Sequence, residues 1–202
     1  MTTPSISEVS ISNQALSWLG EELLISLDDA SKAASLCKLN YYPLRDAVLE
    51  ARDWTFAQKR DVPAVLLTAP TWGYSHQFQL PADLLRIIFV GQNDDPEERN
   101  PVDSWVREQD KILANYNVVY IRYAARIEDP NKFSLSFVQA LAARLAADLA
   151  MPLTNSRGLQ SDMYKLYGTK LAEATAFDQM QGKSRIIRAD DLRVRARLGG
   201  SF

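Results

Sequence analysis

The chain has 202 residues, of which 47% are hydrophobic and 24% are charged, a balance that is ordinary for a soluble globular protein. A single cysteine excludes an internal disulfide and any zinc site that needs several cysteines. The first residues lack the basic and apolar regions of a secretory signal, and no apolar run approaches the roughly 20 residues that a bilayer span needs. We therefore expect a protein with no membrane segment that is made and stays in the reducing cytosol unless it is exported as part of a particle.

The net charge of −2 is unevenly distributed along the chain. Residues 183–202 carry six Lys or Arg and two Asp or Glu, a balance of +4, and the rest of the chain has a balance of −6. A basic segment attached to a mildly acidic body predicts docking onto an acidic surface or onto nucleic acid. The alternative is a solvated terminus that binds nothing.

Two amphipathic helices are predicted at the start of the chain. Residues 7–19 place apolar side chains at helical spacing, and Gly20 follows where a helix end is expected. A longer helix is predicted to begin at Ser26, whose hydroxyl can cap it, and to pass through Pro43 with a kink. Its buried face is predicted to consist of residues at steps of three and four: Ala30, Ala33, Ala34, Cys37, Tyr41, Leu44, Val48 and Ala51.

The long helix is predicted to run directly into a β-strand at Trp54. After Asp53 the pattern changes to alternation, with Trp54 and Phe56 on one side, as in a half-buried strand. A helix that continues into a strand joins a helical layer to a β layer. We therefore assign Arg45, Trp54 and Phe56 to this junction as structural residues.

Residues 54–132 are predicted to form one small antiparallel β domain, because short strand-like runs alternate with turn signals roughly every 8–12 residues. The apolar run 86–90 is predicted to be a central strand. Residues 62–67 contain Pro63 and are predicted to be an edge strand or an irregular one. Further strands are predicted at residues 74–80, 105–109, 111–114 and 118–123.

Two more helices are predicted after the β region. The first is capped by Ser134 or Ser136 and ended by Pro152, and the second covers about residues 156–179. Helices at the two ends of the chain must pack on each other to bury their apolar stripes.

The sequence therefore predicts an α+β fold, built as an antiparallel four-helix bundle with an inserted small antiparallel β domain and an extended C-terminal tail. The bundle is assigned to residues 1–53 and 133–182, the β domain to residues 54–132 and the tail to residues 183–202.

No set of residues has the spacing of a catalytic, metal or cofactor site. Cys37 and His76 lie in different predicted layers and are interpreted as core residues. The acids of residues 94–98 are interrupted by Pro96, do not fit a calcium loop and are interpreted as a solvated loop. We therefore expect a protein that is not an enzyme and holds no cofactor or metal. The alternative is a cell-wall glycan hydrolase with Glu50 as its acid, for which the sequence singles out no partner carboxylate.

Three segments resemble the phage head-to-tail connectors called tail tubular protein A. The first contains Tyr41, Pro43, Leu44, Asp46 and Leu49, then Trp54, Thr55, Phe56, Ala57 and Arg60. The second contains Tyr74 and then Gln79, Leu80, Pro81, Ala82, Asp83, Leu84, Leu85, Arg86 and Ile87. The third runs through residues 137–146 and 149–154, and the last helix and residues 193–197 are also similar. The resemblance covers nearly the whole chain in the same order.

The resemblance implies a ring of identical subunits, typically twelve, below the portal of a tailed phage. Such a ring extends the DNA channel and supports the next tail or nozzle component, while double-stranded DNA passes without sequence-specific binding. The chain would then belong to the neck of the virion, after synthesis in the host cytoplasm, and the family fold is likewise a helical bundle with a β domain. The competing hypotheses are a glycan hydrolase that acts as DNA enters the cell and a free DNA-binding protein.

The C-terminal tail is predicted to dock onto the portal. Alternation of Arg193, Arg195 and Arg197 with apolar residues gives an extended strand one polar and one apolar edge, which favours β-addition or groove binding. A role for the same arginines in contacting DNA is the rival interpretation. The residues assigned to docking are Arg185, Arg188, Arg193, Arg195, Arg197 and Phe202.

Overall fold

The computed structural model describes residues 5–95 and 98–181. Within these ranges the chain forms four α-helices and six short strands. The helices are α1 (Glu8–Leu19), α2 (Lys32–Ala51), α3 (Leu135–Thr154) and α4 (Arg157–Met180). The strands are β1 (Gln58–Asp61), β2 (His76–Gln79), β3 (Leu84–Gly91), β4 (Trp105–Glu108), β5 (Lys111–Ala114) and β6 (Tyr120–Ala125). None of the helices in this part of the chain is long and apolar enough to cross a membrane.

Helix α3 is the centre of the helical part of the molecule. Between Phe137 and Ala150 only Gln139 is exposed, while Arg144 and Asp148 are half-buried. The other three helices pack around α3. A helix that is apolar on nearly every side needs such an enclosure, and its many alanines let the neighbouring helices approach closely.

Serine residues cap the four described helices. The hydroxyl oxygen of each cap accepts a hydrogen bond from the backbone N–H three residues further on, which satisfies one of the unpaired donors of the first turn. The caps are Ser7, Ser31, Ser134 and Ser156. The prediction that Gly20 ends the first helix is confirmed, because it adopts the left-handed conformation at φ 73°. Of the two serines proposed to start the third helix, Ser134 is the cap.

One predicted helix start and one predicted helix end are wrong. The long helix begins after Ser31, not at Ser26, because the Asp29 carboxylate accepts the backbone N–H groups of Ile25 and Ser26 and folds that stretch into a turn. Helix α3 continues past Pro152 to Thr154 and ends at Asn155, which is left-handed at φ 55°. Pro43 lies within α2, as predicted.

The six strands form two separate antiparallel sheets of three strands each. Sheet A has the order β1-β6-β3, and sheet B has the order β2-β5-β4. The central strand of sheet A is therefore β6, and the prediction that residues 86–90 form a central strand is wrong. Residues 62–67 form no regular strand and contribute one isolated bridge, between Val65 and Phe78.

The predicted four-helix bundle with a single inserted β domain is wrong, although the mixed α+β class is correct. Strands β2, β4 and β5 pair among themselves, and β1, β3 and β6 form a second sheet. Alternation along a strand indicates which face is buried but not which strand is its partner, so the division into two sheets is not encoded in the local pattern.

Candidate functional site

Trp54 lies at the junction between the helices and sheet A, and its side chain is only 1% exposed. Its indole Nε1 donates a hydrogen bond of 2.8 Å to the carbonyl oxygen of Val48, one of the acceptors in the last turn of α2 that lack a partner within the helix. The ring packs edge-on against Phe137 of α3, with the two centroids 5.1 Å apart. Trp54 thus connects the end of α2 to the central helix.

Phe56 extends this aromatic contact to the start of α3. The half-buried Phe56 ring lies 5.2 Å from Phe137 and 6.0 Å from Phe133, measured between centroids. Phe133 and Phe137 are themselves 4.8 Å apart. The Phe56–Phe137 pair is edge-to-face, a geometry that adds to the free energy gained from burial alone. The four rings form one cluster, which we call the aromatic junction (Trp54, Phe56, Phe133 and Phe137).

The predicted direct transition from helix to strand is wrong, because a short 3-10 turn, Thr55–Ala57, separates α2 from β1. This turn is held by α4. One carboxylate oxygen of Asp178 accepts the Thr55 backbone N–H at 2.8 Å and the Thr55 hydroxyl at 2.9 Å. Asp178 is 6% exposed, and its other oxygen has no hydrogen-bond partner among the described residues.

Arg45, the third residue assigned to the junction, is a buried arginine on α2 that is 4% exposed. Its Nε and Nη2 contact one oxygen of Asp46 at 2.9 and 2.8 Å, and its guanidinium lies over the Tyr42 ring. The other Asp46 oxygen accepts a 2.8 Å hydrogen bond from Arg126, which follows β6. A buried guanidinium requires such a partner, and here the shared carboxylate also joins α2 to sheet A.

A second arginine from sheet A reaches the end of α2. Arg86 of β3 donates from Nε to the carbonyl oxygen of Glu50 at 2.9 Å, and its Nη2 forms an ion pair with Asp53. The contact satisfies a backbone acceptor of the last helical turn with a positive charge, which also suits the negative end of the helix dipole. Neither Arg86 nor Asp178 was assigned a role from the sequence.

The carboxylate of Asp83, which directly precedes β3, binds the side chains of both Lys59 and Tyr123 in sheet A. Lys59 Nζ lies 2.5 Å from one carboxylate oxygen, and the Tyr123 hydroxyl donates to the other at 3.1 Å. Partial burial on its own raises the pKa of the Asp83 carboxyl, but the hydrogen bonds from Lys59 and Tyr123 outweigh it and hold that pKa below its usual range. Burial and the Asp83 carboxylate raise the pKa of Tyr123.

Two acids of the loop after β3 are ion-paired, so the interpretation of the loop as solvated is wrong for these two, while Glu97 lies outside the described residues. Glu98 accepts two hydrogen bonds from Arg122, at 2.5 and 2.7 Å, and Asp95 pairs with Arg99 at 2.8 Å. Asp94 is exposed. No group of three or more His, Cys, Asp or Glu among the residues described could hold a metal ion.

The residues considered for catalysis, Cys37 and His76, lie on different elements of the fold. Cys37 is buried on α2, where burial raises the pKa of its thiol to about 11 against a smaller opposing effect of Ser12. His76 lies on β2 opposite Ala114, and no hydrogen bond joins it to Cys37 in the described part of the chain. Glu50 is exposed, and the nearby Trp54 ring is buried against Phe137.

One surface loop has a composition suited to contact with another protein. Residues 62–75, which we call the apolar loop, contain no charged side chain. Leu67 is fully exposed and Trp72 is 85% exposed. The residues assigned to portal docking, Arg185, Arg188, Arg193, Arg195, Arg197 and Phe202, lie outside the described residues, as does the whole of segment 183–202.

No protein-family model matches the chain, and no curated protein matches it.

Proposed function

We propose that the protein is a non-enzymatic adaptor that forms a ring of identical subunits between the portal and the tail of a phage particle. The observation that carries this proposal is the meeting of the three connector-like segments at one junction. The third segment is separated from the second by residues 88–136, and Trp54, Arg86 and Phe137, which contribute to the resemblance, join α2 to α3 and to sheet A.

The contacts between the segments are specific. Trp54 of the first segment packs edge-on against Phe137 of the third. Arg86 of the second segment binds the carbonyl of Glu50 and the carboxylate of Asp53, at the end of the helix in the first. A resemblance made of framework residues in mutual contact supports a shared fold more strongly than isolated motifs do.

The charge of the chain is consistent with a conduit for DNA. A net charge of −2 gives little general attraction to phosphates, so DNA can slide through a ring of such subunits without being gripped. A free DNA-binding protein would instead show a strong affinity for duplex DNA that falls steeply as salt is added. The apolar loop gives the ring an uncharged surface for contact with a neighbouring protein.

The glycan hydrolase is the rival function, and the position of Glu50 does not favour it. A glycosidase acid needs a raised pKa and a second carboxylate across a cleft, roughly 5–10 Å away. Glu50 is exposed on α2, and the neighbouring carboxylate of Asp53 is engaged by Arg86. A peptidoglycan degradation assay on the purified protein should therefore show no turnover. Turnover abolished by Glu50→Gln would overturn the adaptor proposal.

The number of copies in a particle tests the adaptor directly. Purified particles should contain several copies of the chain for each portal ring, measured by quantitative mass spectrometry against isotope-labelled peptides. One copy per particle, or none, would exclude a ring.

A further inference from the structure

An acidic groove lies where the connection between α1 and α2 passes the end of α3. It has a volume of about 370 Å³. Its charged lining includes Glu21, Glu22 and Asp29, and its apolar lining includes Leu23, Leu24 and Leu153. Leu23 is 62% exposed, so the groove presents an apolar side chain between carboxylates.

The walls of this groove are fixed in place. The side-chain amide of Asn13 donates to the Leu24 carbonyl at 2.8 Å, and its oxygen accepts the Leu24 backbone N–H at 2.7 Å. The Asp29 carboxylate accepts the backbone N–H groups of Ile25 and Ser26. Lys32 donates to the Pro152 carbonyl and so joins the start of α2 to the end of α3. A partner therefore meets a preformed surface, which lowers the entropy lost on binding.

Between these anchors the backbone has unused hydrogen-bonding groups. Glu22 and Leu23 lie outside the helices and strands, and among the described residues their N–H and C=O groups make no hydrogen bond. Exposed groups of this kind are the template to which an extended segment adds as a strand.

The segment of this chain that fits the groove is 183–202. It carries a charge of +4, whereas the charged lining of the groove has three acids against Lys32. Arg193, Arg195 and Arg197 alternate with Val194, Ala196 and Leu198. As an extended strand, the segment would place guanidinium groups toward the carboxylates and apolar groups against the leucines.

The length of chain between α4 and the arginines favours binding to the groove of another copy. Helix α4 has 24 residues and is about 36 Å long. The groove lies beside Leu153, near the start of α4, whereas Asp178 holds the far end of α4 against Thr55. Residues 182–192 span at most about 38 Å when fully extended. Arg193 of the same chain would therefore need a nearly straight path along the whole helix, with no length left to follow the surface, whereas Arg195 and Arg197 gain about 7 and 14 Å of reach.

We propose that residues 183–202 of one copy bind the acidic groove of the next copy and pair with the unused backbone groups of Glu22 and Leu23. A contact between two different surfaces of identical subunits is heterologous, and it closes into a ring when the rotation between copies allows it. The inference rests on the proposed ring and assigns this segment to a neighbouring subunit instead of the portal.

A cross-linking experiment with two isotopes tests the contact. Full-length chains with photoreactive benzoylphenylalanine at position 23 are prepared in ¹⁴N and ¹⁵N forms, mixed and irradiated. Cross-links from position 23 to residues 183–202 are expected, including pairs that combine the two isotopes. Cross-links confined to single-isotope pairs would show that the segment binds its own chain, and the absence of any cross-link to 183–202 would also overturn the proposal.

Charge reversal supplies the matched variants. Glu21→Lys with Glu22→Lys should lower the yield of mixed-isotope cross-links about tenfold, and adding Arg193→Glu with Arg195→Glu should restore it. The control, Glu128→Lys with Asp162→Lys, makes the same change of charge elsewhere and should leave the yield unchanged. An unchanged yield in the groove variant would overturn the contact. Particles that contain the ring without this cross-link would overturn the inference and leave the adaptor function intact.

Discussion

Asp178, near the end of α4, accepts hydrogen bonds from both the backbone N–H and the hydroxyl of Thr55, which lies 123 residues earlier in the chain. This single carboxylate closes the helical part of the molecule onto the turn that leads into sheet A. Phe56 of the aromatic junction lies in the same turn, so both the Asp178 carboxylate and the aromatic rings contact this part of the fold.

The first prediction concerns this carboxylate. Asp178→Ala should lower the free energy of unfolding by about 1–3 kcal/mol, because the Thr55 donors lose their buried acceptor. Urea unfolding of the full chain measures the change. The matched control is Asp162→Ala on the exposed face of the same helix, which should change stability by less than about 0.5 kcal/mol. Equal effects of the two substitutions would show that the Thr55 contact does not stabilise the fold.

The second prediction concerns the aromatic junction. Trp54→Ala should destabilise the protein by about 3–5 kcal/mol, because it removes a fully buried ring and leaves a cavity beside Phe137. Trp72→Ala in the apolar loop removes a ring that is already in solvent and should change the free energy of unfolding by about 0.5 kcal/mol or less. If both variants melt at the temperature of the parent, Trp54 does not hold α2 to α3.

The third prediction follows from the lowered pKa of Asp83. A carboxyl with a lower pKa in the folded state stabilises the fold at pH values above its unfolded pKa, which is close to 3.8. That contribution is lost as the pH falls through the folded pKa. Asp83→Asn should therefore be less stable than the parent at neutral pH and lose less stability on acidification below about pH 4.

Urea unfolding across a pH series measures this dependence. Asp94→Asn is the control, since Asp94 is exposed and has no hydrogen-bond partner among the described residues. Parallel pH profiles for the parent and Asp83→Asn would mean that Lys59 and Tyr123 do not stabilise the ionised carboxylate.

The fourth prediction concerns residues 183–202. Their deletion should leave the unfolding transition unchanged, because the four helices and the two sheets bury a core from Ile11 to Ala174 with side chains that they themselves supply. It should abolish incorporation into particles, which is measured by immunoblotting of purified virions. Normal incorporation of the truncated chain would place the assembly contacts on the helical surface instead.

Particular residues show which helix boundaries can be predicted from the local sequence and which cannot. Gly20 and Ser156 mark helix ends that their local chemistry specifies, and both lie where the pattern predicts them. Ser26 and Ser31 are equally suitable caps in sequence, and the choice depends on Asp29, whose side chain folds back on the chain before the helix. Local propensity cannot distinguish such alternatives.

The sheets were harder to predict because partner choice depends on tertiary contacts. The apolar run in β3 suggests a central strand, yet β3 lies at an edge of sheet A and packs against α2. Asp178 did carry a signal in the sequence, since it follows Ala174 by four residues on the buried face of α4. A lone carboxylate in an apolar stripe indicates a buried acceptor, but the sequence does not indicate that Thr55 is its donor.

Electron cryomicroscopy of the neck of intact particles tests the central claim most directly. We expect a closed ring of identical copies between the portal and the tail, with the DNA channel through its centre, and in each subunit three helices packed around α3 and two three-stranded sheets. A neck without this chain, or with a single copy of it outside the channel, would contradict the assignment as a ring adaptor.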